Sequence, residues 1–345
     1  MSEAVGSGSG IDKAKIEAHT RLVEQMQRIL GSDICAAFQD EKVVEIMVND
    51  DGKVLVERRG SGVTELGRMA PAKVLNFIGL MAHFRETTVG RDRPIVEGAM
   101  PDEFLRARFA GAIPPIMPNP TFSIRLPARM VFTLDDYVAK GIITQGQQEH
   151  IMRAVEDRKN ILVSGGTSSG KTTMLNAILH AISERSGLDQ RIVLIQDTAE
   201  LQCAAPNTVS MLTYEDSGVD FTKLLKLTLR YRPDRIIVGE VRDKAALALL
   251  KAWNTGHPGG LATLHANSPQ AALLRLDQLC QEAGVPPQKE LINEAVDLVI
   301  QIQRDPTYHA GRRITAMEDV RSGDHISAWQ RPPSRLARKR ALYQK

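Results

Sequence analysis

The sequence predicts an α/β protein in which a parallel sheet with helices follows a smaller α+β domain. From residue 160 onward, short apolar runs that suit buried parallel strands alternate with helical patterns. The length of 345 residues leaves room for two domains of typical size. We therefore expect an α+β domain over 11–130, a linker over 131–158 and the main α/β domain over 159–330.

The composition is that of a globular protein, with 43% hydrophobic and 25% charged residues, which excludes collagen-like, disordered and disulfide-stapled chains. A net charge of +3 is too small to indicate nucleic-acid binding from bulk electrostatics. The three cysteines, Cys35, Cys203 and Cys280, are far apart and form no zinc-ligand pattern. They are typical of reduced thiols, so we expect a cytoplasmic protein. We find neither a signal peptide nor a membrane-spanning run.

The first 85 residues predict a flexible leader, two helices and a hairpin. Residues 1–10, rich in Gly, Ser and Ala, predict a flexible leader. Apolar spacing over 11–30 predicts an amphipathic helix that ends at Gly31. Two β-branched runs within 43–60 predict a hairpin, and 71–85 returns to helical spacing.

The stretch 104–127 contains several prolines and predicts extended chain at sheet edges and in turns, because proline donates no ladder hydrogen bond. The polar helical segment within 131–158 is interpreted as the linker. At the other end of the chain, residues 331–345 carry six basic and no acidic side chains, which predicts a basic tail.

The main domain shows four strand-like runs: NILVSGG, IVLIQDTAEL, DRIIVGEVRD and GGLATLHAN. Helical patterns over 220–231, 244–254 and 269–283 lie between or after them. Strands that alternate with helices imply a parallel sheet with right-handed crossovers.

A phosphate-binding motif follows the first of these strands. Residues 165–172, GGTSSGKT, match G-x-x-x-x-G-K-[ST] between a strand and a helix. Glycines let the backbone N–H groups turn toward a phosphate, Lys171 reaches the β and γ phosphates, and the Thr172 hydroxyl is offered to Mg²⁺. The motif predicts a nucleotide site formed by Gly165, Gly166, Thr167, Ser168, Ser169, Gly170, Lys171, Thr172 and Thr173.

Hydrolysis also needs an acid and a group that orients water. Glu240 ends the run IIVGE, Asp197 and Glu200 follow the neighbouring strand, and His265 ends another. Because parallel strands present their carboxyl ends to the same crevice, these side chains are candidates for that chemistry. The alternative is that the acids cap helices or lie in solvated turns, and that the histidine is structural.

These segments together resemble the Walker A, Asp, Walker B and His boxes of the secretion traffic ATPases, the hexameric motors of type IV secretion, type II secretion and type IV pili. They are GGTSSGKT, IQDTAEL, LRYRPDRIIVGEVRD and TGHPGGLATLHAN. The segments EIMVNDDGKVLVERRG and RARFAGAIPPIMPNPTFSIRLP resemble the N-terminal domain of the type IV secretion branch. The resemblance implies a RecA-like P-loop ATPase domain that uses ATP and Mg²⁺. It further implies a homo-hexamer that works with other secretion components at the cytoplasmic face of the inner membrane.

The same resemblance implies residue roles. Thr172, Asp197 and Glu240 would serve the metal. Arg108 and Arg125 would reach the γ-phosphate from the N-terminal domain. The implied catalytic set is Lys171, Glu240, Glu200, His265, Arg108 and Arg125.

One position departs from the family pattern, because the Asp box begins with Gln196 where a glutamate is usual. An amide orients water but takes no proton from it at neutral pH. Our hypothesis is that Glu240 acts as the general base, assisted by Glu200. Arg230 and Arg232 are either further arginine candidates or a solvated helix end.

The sequence leaves several alternatives open. One is a type IV pilus or type II secretion motor, although the four-cysteine insertion usual in type II assembly ATPases is missing. Others are a RecA-like ATPase linked to nucleic acid and a nucleotide-dependent scaffold that does not hydrolyse. The basic tail suits loose phosphate contact, an anionic lipid surface or simple solvation. We find no firm indication of direct nucleic-acid binding.

Overall fold

The computed structural model describes residues 8–127, 129, 131–214 and 218–320. The chain divides into two compact units, Met1–Arg129 and Met130–Lys345. The predicted basic tail and the first seven residues of the predicted leader lie outside the described residues.

The first unit is an antiparallel sheet with two helices. The helices are α1 (Gly8–Ala37) and α2 (Pro71–Phe84). The strands are β1 (Val43–Val48), β2 (Lys53–Arg58), β3 (Gly62–Arg68), β4 (Ile95–Ala99), β5 (Arg108–Ala112) and β6 (Thr121–Arg125), in the order β3-β2-β1-β6-β5-β4. Apolar side chains from both helices and from the strands form one core, in which the Phe77 ring packs edge-on against Phe109. The predicted α+β class is confirmed for this unit.

The segment α1 consists of two helices that meet at Gly31. The φ of 81° and ψ of 170° at Gly31 are not helical, so the first helix ends there, as predicted, and a second, short helix runs on to Ala37. Leu30 before the glycine and Ile34 after it are both buried in the same core. Burial of apolar side chains on both sides therefore favours a second helix after the glycine.

The proline-rich stretch also differs from expectation. Strands β5 and β6 lie inside the sheet, with β6 between β1 and β5 and β5 between β6 and β4. The prolines 114, 115, 118 and 120 lie in the connection between these two strands. Since no proline occupies a ladder position, the strands are free to pair on both sides.

The second unit is built on a seven-stranded sheet. Its strands are β7 (Ile161–Gly165), β8 (Ile192–Gln196), β9 (Thr208–Leu212), β10 (Arg235–Val238), β11 (Leu261–His265), β12 (Leu298–Arg304) and β13 (Arg312–Asp319). The order is β13-β12-β7-β11-β10-β8-β9. All neighbours pair in parallel except β12 and β13, which are antiparallel. This arrangement confirms the predicted α/β class.

Helices cover both faces of this sheet. They are α3 (Leu134–Ala139), α4 (Gln145–Glu156), α5 (Lys171–Ser183), α6 (Phe221–Thr228), α7 (Ala245–Asn254), α8 (Pro269–Gln281) and α9 (Lys289–Ala295). Successive residues of β7 alternate between two cores: Ile161 and Val163 pack with α3 to α5, and Leu162 packs with α6 to α9. No helix in the described ranges is long and apolar enough to cross a membrane.

The interpretation of 131–158 as a linker differs from the structure. Helices α3 and α4 each begin with a capping box, from Thr133 and Thr144. Tyr137, Ile151 and Val155 are buried in the same core as β7 and α5. The polar residues of the segment occupy the outer face, so its polarity reflects two amphipathic helices of the second unit.

Asn160 links the segments that lead into three central strands, β7, β11 and β12. Its Nδ2 donates to the Ala295 carbonyl at 2.7 Å, and its Oδ1 accepts from the Gly260 N–H at 2.8 Å. Its own backbone N–H donates to the Asp297 carboxylate at 2.8 Å. Because Asn160 is only 2% exposed, these bonds are made away from water. They fix the N-terminal end of β7 between β11 and β12.

Candidate nucleotide-binding site

The glycine-rich loop connects β7 to α5 and depends on two glycines. A Cβ at Gly165 would lie 2.5 Å from Oγ of Ser169 and would also clash with the Ile302 carbonyl. Gly170 is the N-cap of α5 and has φ of 100°, a conformation that other residues rarely adopt. The loop is therefore possible only with glycine at these positions, and its helix offers N–H groups to an anion.

A buried hydroxyl in this loop supports a phosphate ligand. Oγ of Ser169 has no hydrogen-bond partner among the described residues, although the residue is 2% exposed. A buried polar group without a partner is costly, and a phosphate oxygen has the chemistry to satisfy it. The loop thus fits a nucleotide phosphate by shape and by its unmet donor.

Lys171 lies at the end of the loop and contacts His265. Its Nζ donates to the Gly166 carbonyl at 3.0 Å and lies 3.2 Å from Nδ1 of His265. Lys171 is 6% exposed, whereas His265 ends β11 with its side chain partly open to solvent. Strand β11 neighbours β7, so the sheet itself brings these two side chains together.

The acidic candidates Glu240 and Asp197 join the same cluster. Oε1 of Glu240 lies 3.2 Å from Nε2 of His265. Arg242 donates from Nη2 to Glu240 at 3.0 Å and from Nη1 to Asp197 at 2.8 Å. The structure thus connects Lys171, His265, Glu240 and Asp197 through direct contacts at the carboxyl ends of β8, β10 and β11.

The electrostatics of this cluster keep Glu240 charged and His265 neutral. Burial alone would raise the pKa of Glu240, but the hydrogen bond from Arg242 and nearby positive charges hold it below its usual value. Burial and the charge of Lys171 lower the pKa of His265. A neutral ring that carries its proton on Nε2 has a donor for Glu240 on that nitrogen, while Nζ of Lys171 lies 3.2 Å from Nδ1 and 3.3 Å from Nε2.

Arg242 is a site residue that the sequence reasoning missed. Its hydrogen bond to Glu240 is the main reason that its own pKa is raised. The available signal was its position two residues after Glu240 in the segment GEVRD. Its contact with Asp197 could not be inferred from that segment, because it depends on the parallel pairing of β8 with β10.

Gln196 lies at the end of β8 and is turned into the protein. Its Oε1 accepts the backbone N–H groups of Glu200 and Leu201, each at 2.9 Å. Its Nε2 donates to the Ser210 hydroxyl at 3.3 Å, and the residue is 2% exposed. Both ends of the amide are therefore used to hold the segment after β8.

The segment after β8 is also tied to α5. Asn176 donates from Nδ2 to the Glu200 carbonyl at 2.9 Å and accepts from the Gln202 N–H at 3.0 Å. The Glu200 carboxylate makes no hydrogen bond or ion pair with the part of the chain that the structure describes. The structure thus fixes the backbone at Glu200 but does not place its carboxylate in the Glu240 cluster.

The remaining predicted residues fall into three places. Thr172 and Thr173 are half-buried in the first turn of α5. Arg108 and Arg125 are directly opposite each other on β5 and β6 of the first unit. Arg230 and Arg232, offered as further candidates, are exposed after α6.

The predicted metal ligands provide the donor chemistry that Mg²⁺ prefers. Thr172, Asp197 and Glu240 supply one hydroxyl and two carboxylates, all oxygen donors. No group of three or more His, Cys, Asp or Glu able to hold a metal occurs in the described ranges.

A glycine-rich loop between a central parallel strand and a helix, with an acid on a nearby strand, defines a P-loop nucleotide-binding protein. A sequence profile described as "Type II/IV secretion system protein" matches residues 92–340. The chain belongs to this family, which confirms the predicted relationship to the secretion ATPases.

Individual relatives agree with this assignment. The chain is 47% identical over 309 residues to the probable conjugal transfer protein TrbB of Sinorhizobium fredii, covering 90% of this chain and 94% of the relative. It is 29% identical over 317 residues to the type IV secretion system protein VirB11 of Bartonella henselae, covering 79% and 87%. The crystal structure of the pilus retraction motor PilT with bound ADP has a TM-score of 0.65 at 17% identity, covering 90% and 88%, and shows the shared fold.

Proposed function

We propose that this protein is a Mg²⁺-dependent ATPase that powers a type IV secretion or conjugative transfer apparatus. The observation that carries the proposal is the contact chain from Lys171 through His265 to Glu240 at the glycine-rich loop. Lys171, the proposed phosphate ligand, and Glu240, whose carboxylate is kept ionised with the help of Arg242, contact the same histidine. A P-loop alone binds nucleotide, whereas this added acid supplies a base for water.

In this proposal the loop and Lys171 bind the β and γ phosphates. Glu240 accepts the proton of the attacking water, and His265 holds Glu240 in place while sensing the γ-phosphate. Thr172, Asp197 and Glu240 would help to hold Mg²⁺, which would supply positive charge to the phosphate oxygens. Glu200 would assist from the segment that Gln196 and Asn176 hold.

Two arginines of the first unit complete the proposed chemistry. Arg108 and Arg125 would neutralise the charge that develops on the γ-phosphate in the transition state. The support for this role is the resemblance of the segments that carry them to the type IV secretion branch. Arginines supplied from a separate unit would link hydrolysis to movement between units.

The relatives support the biological setting. The similarity to TrbB and VirB11 proteins favours a role in conjugal transfer or type IV secretion. We propose a homo-hexamer that works with other components of that machinery at the cytoplasmic face of the inner membrane. Contact of the basic tail with anionic lipid would contribute about 1 kcal/mol for each basic residue near the surface.

The test combines ATP hydrolysis with the mass of the protein in solution, with and without Mg²⁺ and nucleotide. Lys171→Ala is the matched control, because it removes the phosphate contact while leaving the loop glycines intact. We expect Mg²⁺-dependent turnover in the wild type, loss of turnover in the variant and a nucleotide-stabilised mass of about six protomers. A monomer that binds ATP without hydrolysing it would contradict the motor and favour a scaffold.

A further inference from the structure

Arg312, the first residue of β13, lies against the glycine-rich loop. A Cβ added to Gly170 would clash with Nη1 of Arg312 and would lie 3.5 Å from both its Cδ and its Cζ. The guanidinium is therefore in close proximity to the backbone of the residue that starts α5. No motif of the sequence indicated this residue, because the contact arises from the hairpin of β12 and β13.

The guanidinium of Arg312 pairs with no anion among the residues that the structure describes. It forms no hydrogen bond or ion pair within the described ranges, although Arg312 is half-buried. Its direct cross-strand neighbour is Arg304, and facing like charges on one side of a sheet are unfavourable. The next residue behaves differently, since Nε of Arg313 pairs with Asp305 at 3.2 Å and its guanidinium lies over Tyr308.

The position of Arg312 in the sheet indicates which part of a nucleotide it would meet. Lys171 contacts His265 and, through it, Glu240, on the side of β7 where β11 and β10 lie. That side receives the γ-phosphate, because the motif lysine reaches the β and γ phosphates. Arg312 approaches from the opposite side, across β12. A nucleotide bound in the loop would extend its α-phosphate toward Arg312.

We propose that Arg312 is a nucleotide-binding residue that contacts the α- and β-phosphates from the side of the loop opposite Glu240. A guanidinium binds two phosphate oxygens with a matched geometry and a permanent charge. Such a contact would also reduce the repulsion between the positive charges of Arg312 and Arg304. The inference rests on the proposed function, because it assumes a nucleoside di- or triphosphate in the loop.

The experiment measures equilibrium binding of fluorescent ADP and ATP analogues to the full chain. The variants are Arg312→Gln and Arg312→Lys, and Arg313→Gln is the matched control, with the same charge change one residue away. We expect Arg312→Gln to weaken ADP and ATP equally, by roughly 10- to 100-fold, the value of a charge-assisted contact. Arg312→Lys should fall between wild type and Arg312→Gln, and Arg313→Gln should stay within about twofold of wild type.

Three results would overturn the inference. Unchanged affinity in Arg312→Gln, with Lys171→Ala losing binding, overturns it and leaves the proposed function standing. Weakening of ATP alone would place Arg312 at the γ-phosphate instead. If wild type binds neither nucleotide, the proposed function fails and the inference with it. Circular dichroism without nucleotide shows whether Arg312→Gln is folded. If Arg312→Gln does not fold, the affinity of Arg312→Lys, which keeps the charge, is compared with that of the wild type instead.

Discussion

The side-chain oxygen of Gln196 accepts the backbone N–H of Glu200 at 2.9 Å and thereby fixes the start of the segment that follows β8. The position is the one at which the sequence departs from the family pattern. Because the amide oxygen also accepts the Leu201 N–H, it is directed at the backbone and not at a water in the site. The glutamine at this position therefore serves to hold the segment after β8.

Gln196→Leu should lower turnover by about 10-fold or more and reduce stability by about 1–3 kcal/mol, because the part-buried N–H of Glu200 and the buried N–H of Leu201 lose their acceptor. Gln196→Glu keeps both acceptor contacts and should stay within a few-fold of wild-type turnover. Steady-state ATPase kinetics and denaturant unfolding measure both effects. A large gain of activity in Gln196→Glu would show that this position does act as a base.

Glu240→Gln should reduce ATP turnover by about 10²- to 10⁴-fold, because an amide takes no proton from water. Nucleotide binding should persist, since Lys171 and the loop are unchanged. Turnover and nucleotide affinity are measured separately, with the exposed Glu282→Gln as the control for loss of a carboxylate. Full turnover in Glu240→Gln would remove it from the role of base.

Arg242→Gln should shift the pH dependence of turnover. The hydrogen bond and charge of Arg242 lower the pKa of Glu240, so the carboxylate stays ionised as the pH falls. Without Arg242 this pKa rises, and Glu240 becomes protonated at a higher pH. We expect the acidic limb of the kcat/KM profile to move to higher pH, with a smaller effect near pH 8.

The control for this prediction is Lys244→Gln, which removes a positive charge from a nearby exposed residue. Its acidic limb should coincide with that of the wild type. An equal loss of activity at every pH in Arg242→Gln would mean that Arg242 only shapes the site and does not set the charge of Glu240.

Asn160→Ala should lower the free energy of unfolding by about 2–4 kcal/mol, because the Gly260 N–H and the Ala295 carbonyl would be buried without partners. Denaturant unfolding of the isolated protein measures the change. Asn254→Ala, which removes an exposed hydrogen bond to Glu294, should change stability by less than about 0.5 kcal/mol. Equal values for the two variants would contradict the structural role of Asn160.

The sequence predicted the glycine-rich loop and the strands around it because their signals are local. A buried parallel strand followed by glycines and a helix is encoded by a short run of consecutive residues. Residues 298–304, LVIQIQR, were missed because two glutamines interrupt the apolar pattern. The structure shows how one of them is tolerated: Gln301 is 1% exposed and bonds to Ser164 and to the Ala266 carbonyl.

The roles of Arg242 and Arg312 could not be predicted from the sequence for a different reason. Each touches a partner that is distant in the chain, Asp197 in one case and Gly170 in the other. Those contacts exist only once the strand order is known, and the order is not encoded in any single segment. Charge alone does not separate these residues from the many solvated arginines.

The position of β12 has a consequence for shortened forms of this protein. Residues 298–301 pair with β7, the strand that leads into the glycine-rich loop. A fragment that stops before Leu298 would leave the backbone groups of β7 open to another molecule, and intermolecular strand pairing would compete with folding. Soluble expression of the nucleotide-binding unit should therefore require the chain at least through β13, and shorter fragments should accumulate as aggregates.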